Sequence, residues 1–202
     1  MTYADFTLDD VAKKLGFKPE LKTLFPNLPA LTVPSWLAQS LAGAPPVSSM
    51  NEKARSEFIV APILVAARIL SGNRLSIFSG QRFEVDAQLG LTGECDFIIT
   101  ASSPILPIRG PLLTILEAKR GDLELGLGQA IAQMVAAQKF NRLEGTEVGP
   151  VYGCVTTGEL WQFLRITEKC LEQDTDRYHI GNAGSILAAL LKIAELALKT
   201  DS

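Results

Sequence analysis

The chain has 202 residues, 47% of them hydrophobic and 20% charged, a composition that suits one globular domain with a core of its own. Nineteen Lys and Arg stand against 22 Asp and Glu, for a net charge of -3, which excludes a histone-like protein that grips nucleic acid by bulk charge. The three cysteines, Cys95, Cys154 and Cys170, are odd in number and far apart, with His179 the one histidine, so neither a disulfide scaffold nor a zinc module is expected.

The N-terminus reads Met-Thr-Tyr-Ala-Asp, with no basic patch leading into an apolar stretch, and the expected location is therefore the cytoplasm. Phe58 to Leu70 and Ile186 to Leu198 are the most apolar stretches. Arg68 cuts the first, Lys192 and Glu195 cut the second, and both are too short to span a bilayer, so no membrane association is expected.

Six of the eleven prolines fall in residues 1–50, which read as a helical N-terminal extension distinct from a domain over 51–202. Thr7 is placed to cap a helix from Leu8 to Leu15, with Asp10 three residues on and Gly16 as the stop. A second helix is expected over Pro34 to Leu41, ended by Gly43. Ala44 to Asn51 is the linker, and Asn51 caps a long helix to about Ile69 that Pro62 should kink.

Short strands follow: Leu75 to Phe78, a Ser79-Gly80 turn, Arg82 to Ala87, and Glu94 to Thr100, reading as a meander. After a loop with Pro104, Pro107 and Pro111, the run Leu112 to Lys119 has the pattern of a central strand, apolar on both faces until its last three residues. A helix is expected over Glu124 to Leu143. Then come strands at Pro150 to Thr157 and Leu160 to Ile166, and a closing helix over Ser185 to Lys199 capped by Ser185. The resulting order is α, β, β, β, α, β, β, α.

Charge collects at two strand ends. Alternation puts Glu94 and Asp96 on one face, and Glu117 and Lys119 on one face. If the strands are neighbours, the carboxylates and the ammonium converge, and the cluster would be costly unless a cation serves it. Carboxylate oxygens are hard donors suited to Mg²⁺ or Mn²⁺, a chemistry that fits phosphodiester hydrolysis. Acid-x-Lys spacing occurs twice, at Glu20-Leu-Lys22 and Glu117-Ala-Lys119. Glu20 lies in a segment without strand character, so only the second is assigned chemistry.

These residues resemble the PD-(D/E)XK nuclease superfamily, with Asp96 followed by Glu117-Ala118-Lys119 between helices, over roughly residues 51–166. The resemblance implies an α/β fold with a restriction-endonuclease-like αβββαβ core, a central mixed sheet flanked by helices. It implies Asp96, Glu117 and Lys119 as catalytic residues, and Mg²⁺ or Mn²⁺ held by Asp96 and Glu117 with Glu57 from the first helix. Gln129 and Gln133 would support from the helix after the motif. Gly-Leu-Gly-Gln129-Ala-Ile-Ala-Gln133 is similar to that helix in type I restriction cleavage subunits. Recombination nucleases usually carry tyrosine four residues after their glutamine, where this chain has Gln133. The proline usual before the aspartate is replaced by Cys95.

Each residue also has an ordinary reading. Asp96, Glu117 and Lys119 would then form a strand-end salt bridge, Glu57 would complement its helix dipole, and the two glutamines would line a solvated stripe or bond to the sheet. His179 is assigned no role. The expected partner is DNA, bound weakly or with help, since the core is about neutral, and a partner, a homodimer or the N-terminal segment would supply the missing contacts. The alternative function is an idle nuclease fold acting as a binding or oligomerisation module, with Trp36 at its N-terminal interface. A small-ligand phosphoryl chemistry is the third reading.

Overall fold

A computed structural model of the chain describes residues 1–44, 51–101, 108–110, 112–118, 123–146, 149–168 and 170–198, with backbone alone at 113–118 and 197–198. The linker 45–50, the three loop prolines, and Lys119 lie outside the described residues.

Among the described residues, seven strands form one mixed sheet: β1 (Pro19–Lys22), β2 (Ser76–Asp86), β3 (Leu91–Thr100), β4 (Leu112–Ala118), β5 (Val151–Thr156), β6 (Leu160–Thr167) and β7 (Cys170–His179), in the order β1-β7-β6-β5-β4-β3-β2. β4 runs parallel to β5 and β1 parallel to β7, and every other pairing is antiparallel. The helices are α1 (Leu8–Asp10), α2 (Ser35–Gly43), α3 (Glu52–Arg55), α4 (Ala61–Leu70), α5 (Glu124–Leu143) and α6 (Ala183–Leu198). The chain is thus a mixed α/β protein with helices on both sheet faces.

Alternation along the central strands sorts side chains into two core layers. On β5, Tyr152 and Cys154 join one layer with α4 and α6, while Val151 and Val155 join the other with α5. β5 is buried at every position, as a strand covered on both faces must be. Burial in the first layer also pushes the Cys154 thiol pKa up, so that it packs there as a neutral group.

The N-terminal segment is interleaved with these layers. Tyr3, Phe6, Val11 and Phe17 pack on the α5 side, and Leu24, Phe25 and Leu37 on the other. Thr7 accepts from the Asp10 amide at 3.1 Å, Asp10 completes the capping box, and the helix widens into a π turn over Val11–Leu15 before Gly16 ends it at φ 77°. The segment with Glu20 does have strand character, because β1 pairs with β7 from Pro19 to Lys22.

Other expectations shift. Ser79-Gly80 is no turn, since β2 continues through it, with Gly80 at φ 60°. β7 was unforeseen. The long helix after the Asn51 cap, where Asn51 accepts from the Ala54 amide at 2.8 Å, relaxes through a π turn at Ser56–Val60 just ahead of Pro62, because proline removes a helical donor and crowds the preceding turn. The last helix starts at Ala183, earlier than Ser185. His179 closes β7 and accepts from the Gly181 amide at 2.9 Å, which caps the short helical turn Ile180–Asn182.

α5 is buried over most of its length, and its small residues let backbone approach closely. A Cβ at Gly128 would collide with the Phe6 carbonyl and the Thr7 backbone. Gly128→Val is therefore expected to cost about 1–3 kcal/mol or more through overpacking against backbone that cannot yield, read as a lower urea midpoint at unchanged slope.

Candidate functional site

A cleft of about 670 Å³ opens between the helical run from α3 to α4 and the β2–β3 hairpin. From the helical side it is lined by Glu52, Lys53, Ser56, Glu57, Ala61, Val65 and Arg68, and from the strands by Ile77, Ser79, Gly80, Glu94, Asp96 and Phe97. Glu57, Ala61, Val65 and Arg68 recur at intervals of three or four, so they share one face.

Two of the residues singled out from the sequence, Glu57 and Asp96, thus line one cleft though 39 positions separate them. Glu94 joins them, as alternation along β3 requires. Glu57 is ion-paired to Lys53 at 3.1 Å on the exposed helix surface, the ordinary i, i+4 geometry.

Asp96 sits at a break in the strand pattern. Cys95 and Ile98 pack in the layer with α5, whereas Phe97 and Ile99 pack in the opposite layer. Asp96 lines the cleft on the same side as Phe97, so the alternation fails between these two residues. On the neighbouring strand, Ser79 pairs with Phe97 and Gln81 with Cys95, which puts Gly80 across from Asp96. Its left-handed φ of 60° is the backbone feature by which a strand kinks locally and re-aims a side chain.

The register also fixes the backbone of Glu117. Phe97 pairs with Leu116 at the end of the antiparallel β3–β4 ladder, and the backbone of Glu117 follows one residue on, where it pairs with Val155 of β5. The Glu117 side chain and all of Lys119 lie outside the described residues. Among the described residues, no three His, Cys, Asp or Glu side chains stand close enough together to hold a metal ion. The donor chemistry of the cleft, carboxylates from two facing elements, nevertheless fits a hard cation that keeps several waters and takes only one or two protein carboxylates.

Gln129 and Gln133 are buried on α5, which removes the solvated-stripe reading. Gln133 Nε2 lies 3.4 Å from the Glu94 carbonyl oxygen, a long contact that ties α5 to β3 two residues before Asp96. In the sequence, Arg68 stands out only as a break in an apolar stretch. Its position on the stride 57, 61, 65, 68 carried the signal that it shares the Glu57 face, and its Nε donates to the Leu75 carbonyl at 2.8 Å.

No family model, no curated protein and no solved structure matches the chain. No helix among the described residues is long and apolar enough to cross a membrane.

Proposed function

We propose that the chain is a divalent-metal-dependent nuclease of the PD-(D/E)XK type, hydrolysing phosphodiester bonds in DNA. The observation that carries this reading is the convergence of Glu57 and Asp96 on one cleft, with Glu117 one residue beyond Leu116, the partner of Phe97 on β3. The order of elements supports a restriction-endonuclease-like core: a helix, three antiparallel strands, a helix, and a strand parallel to the last of the three.

Asp96 and Glu117 would hold Mg²⁺ or Mn²⁺, with Glu57 contributing from the helix. The bound cation would supply a polarised phosphoryl oxygen and a water acidic enough to attack near neutral pH. Lys119 would orient that water and offset charge that develops on the phosphoryl group. Gln133 steadies the strand that carries Asp96, and Gln129 supports from the same helix.

The test is cleavage of single-stranded, duplex and branched DNA with Mg²⁺ or Mn²⁺, beside Glu117→Ala and Lys119→Ala proteins purified identically. Cutting by the wild type that drops about 100-fold or more in both variants is the expected result. Equal cutting by all three proteins would mark a contaminant and sink the proposal.

An idle fold serving as a binding or self-association module is favoured by one observation, the exposure of Trp36 at the start of α2. Light scattering at high concentration checks it. A monomer throughout would count against self-association.

A further inference from the structure

Pairing across the sheet sets four residues in one row. Glu117 of β4 pairs with Val155 of β5, Val155 with Gln162 of β6, and Gln162 with Arg177 of β7. The Glu117 position thus continues, strand by strand, to an arginine. Neighbouring strands lie about 4.8 Å apart, so the row runs for about 14 Å from β4 to β7. That is the length of about four nucleotides of one DNA strand.

Arg177 is exposed, yet it is held from below. Gln162 is 2% exposed, and its Nε2 donates to the carbonyls of Asp174 at 2.8 Å and Asp176 at 3.3 Å. This fixes Oε1 as the free acceptor end of the amide, and Arg177 Nε donates to it at 3.2 Å. Arg177 Nη2 donates to Glu124, the first residue of α5, at 3.0 Å. A guanidinium has five N–H donors, so with its Nε anchored the others are presented as a preoriented fork of the kind that suits a phosphate. The Glu124 pair is half exposed on both sides and contributes little in water, so a phosphate can displace it.

Arg55 stands nearer the start of the row. The helical run that begins at α3 carries Glu57 on the β2–β3 side, in the cleft. Arg55 and Ile59 lie instead over Gly158, just past the end of β5. A Cβ at Gly158 would sit 3.4 Å from Ile59 Cδ1 and 3.7 Å from Arg55 Cβ and Cδ. β4 lies between β3 and β5 in the sheet, and Ala118, which follows Glu117, pairs with Thr156 at the same end of β5. The run therefore brings a carboxylate to the β3 side of β4 and a guanidinium to its β5 side.

We propose that Arg55 and Arg177 bind backbone phosphates of the DNA on the β5–β7 side of the reacting phosphate, so that the strand follows the row from Glu117 to Arg177. This rests on the nuclease reading and assigns residues that hold its substrate. Contacts of this kind fix the register of the strand and carry no sequence preference of their own.

The experiment is fluorescence anisotropy of the full chain with a labelled 20-nucleotide DNA strand and with the matching duplex, across a salt series. Ca²⁺ replaces Mg²⁺ so that binding is read without turnover. On whichever DNA the wild type binds more tightly, Arg55→Gln and Arg177→Gln are each expected to weaken binding about tenfold at unchanged melting temperature. Each should also flatten the log–log salt slope by about 0.7 on a single strand or about 0.9 on a duplex, the loss of one phosphate contact. Arg177→Lys keeps the charge without the fork, so it should keep the wild-type slope and recover only part of the affinity. A wild-type slope in either Gln variant removes that residue from the proposal, and in both overturns it. So does a wild type that binds neither DNA, or a loss of affinity that tracks a fall in melting temperature, which would make the two arginines structural.

The nuclease and its phosphate contacts fail separately. Glu117-dependent cutting whose KM and salt dependence are unmoved in both Gln variants would leave the nuclease and remove the contacts. Arginine-dependent binding with the expected slopes, but without cutting in Mg²⁺ or Mn²⁺, would remove the nuclease and keep this end of the sheet as a DNA-binding edge.

Discussion

Asp96→Asn is expected to lower metal-dependent cleavage by about 100-fold or more while the protein still folds. Asparagine keeps the shape of the side chain at the break in the β3 alternation, so the packing of Cys95 and Phe97 on opposite layers is preserved. It removes the negative charge, and a neutral amide oxygen is a poor substitute where a hard cation needs a carboxylate. Glu57→Gln should behave differently. Glu57 is half exposed and already shared with Lys53, so its loss should raise the Mg²⁺ concentration that gives half-maximal rate by about tenfold, with a smaller effect on the rate at saturating metal. Rates measured across a Mg²⁺ titration separate the two variants. An Asp96→Asn enzyme that reaches the wild-type rate at high Mg²⁺ would show that Asp96 is no ligand of the reacting metal.

What could be read from the sequence was what short stretches decide alone. The Thr7–Asp10 capping box, the Gly16 stop and the Asn51 cap are local hydrogen-bonding signals, and all three are present. The helix Glu124 to Leu143 is long enough for periodicity to fix both ends. β1 and β7 were illegible for the opposite reason. Pro19 to Lys22 is exposed at every position, so it has no apolar alternation, and it becomes a strand only because β7 supplies the partner. β7 itself carries Glu172 and Asp174 inward, where a pattern argument expects apolar residues. Ser79-Gly80 looked like a turn from composition, yet the ladder to β3 continues past it.

The candidate site divides along the same line. Glu94 and Asp96 sharing a face followed from strand alternation. Glu57 reaching them did not, because no local rule says which strand a helix will cover. It entered only through the family resemblance. The kink at Gly80 is a property of two paired strands, invisible in either alone.

Acid should loosen β1 through Glu172, and Asp174→Ala should destabilise the whole protein by about 2–4 kcal/mol. Asp174 is almost fully buried and accepts from the Leu24 amide at 3.1 Å, the Tyr178 hydroxyl at 3.0 Å and the Asp176 amide at 3.3 Å. Removing the carboxylate takes a partner from all three donors at once. The chain leaving β1 passes through Leu24 to Phe25, whose ring packs on Tyr152 and edge-on to Phe163, so freeing Leu24 also loosens that layer. Glu172 works alongside: Arg165 and Lys22 converge on its carboxylate. The hydrogen bond from Arg165, with Lys22 adding to it against the opposing effect of burial, holds its pKa below the ordinary glutamate range. A depressed pKa means the folded state favours the ionised form. The stabilisation is therefore complete above the unfolded-state value and is lost as pH falls through the folded one. Urea midpoints should fall as the pH drops below the ordinary glutamate range, and the fall should be shallower in Glu172→Gln, which has no proton to take up. A Glu172→Gln protein with the wild-type pH profile would show that the ion pair contributes nothing to holding β1 on the sheet.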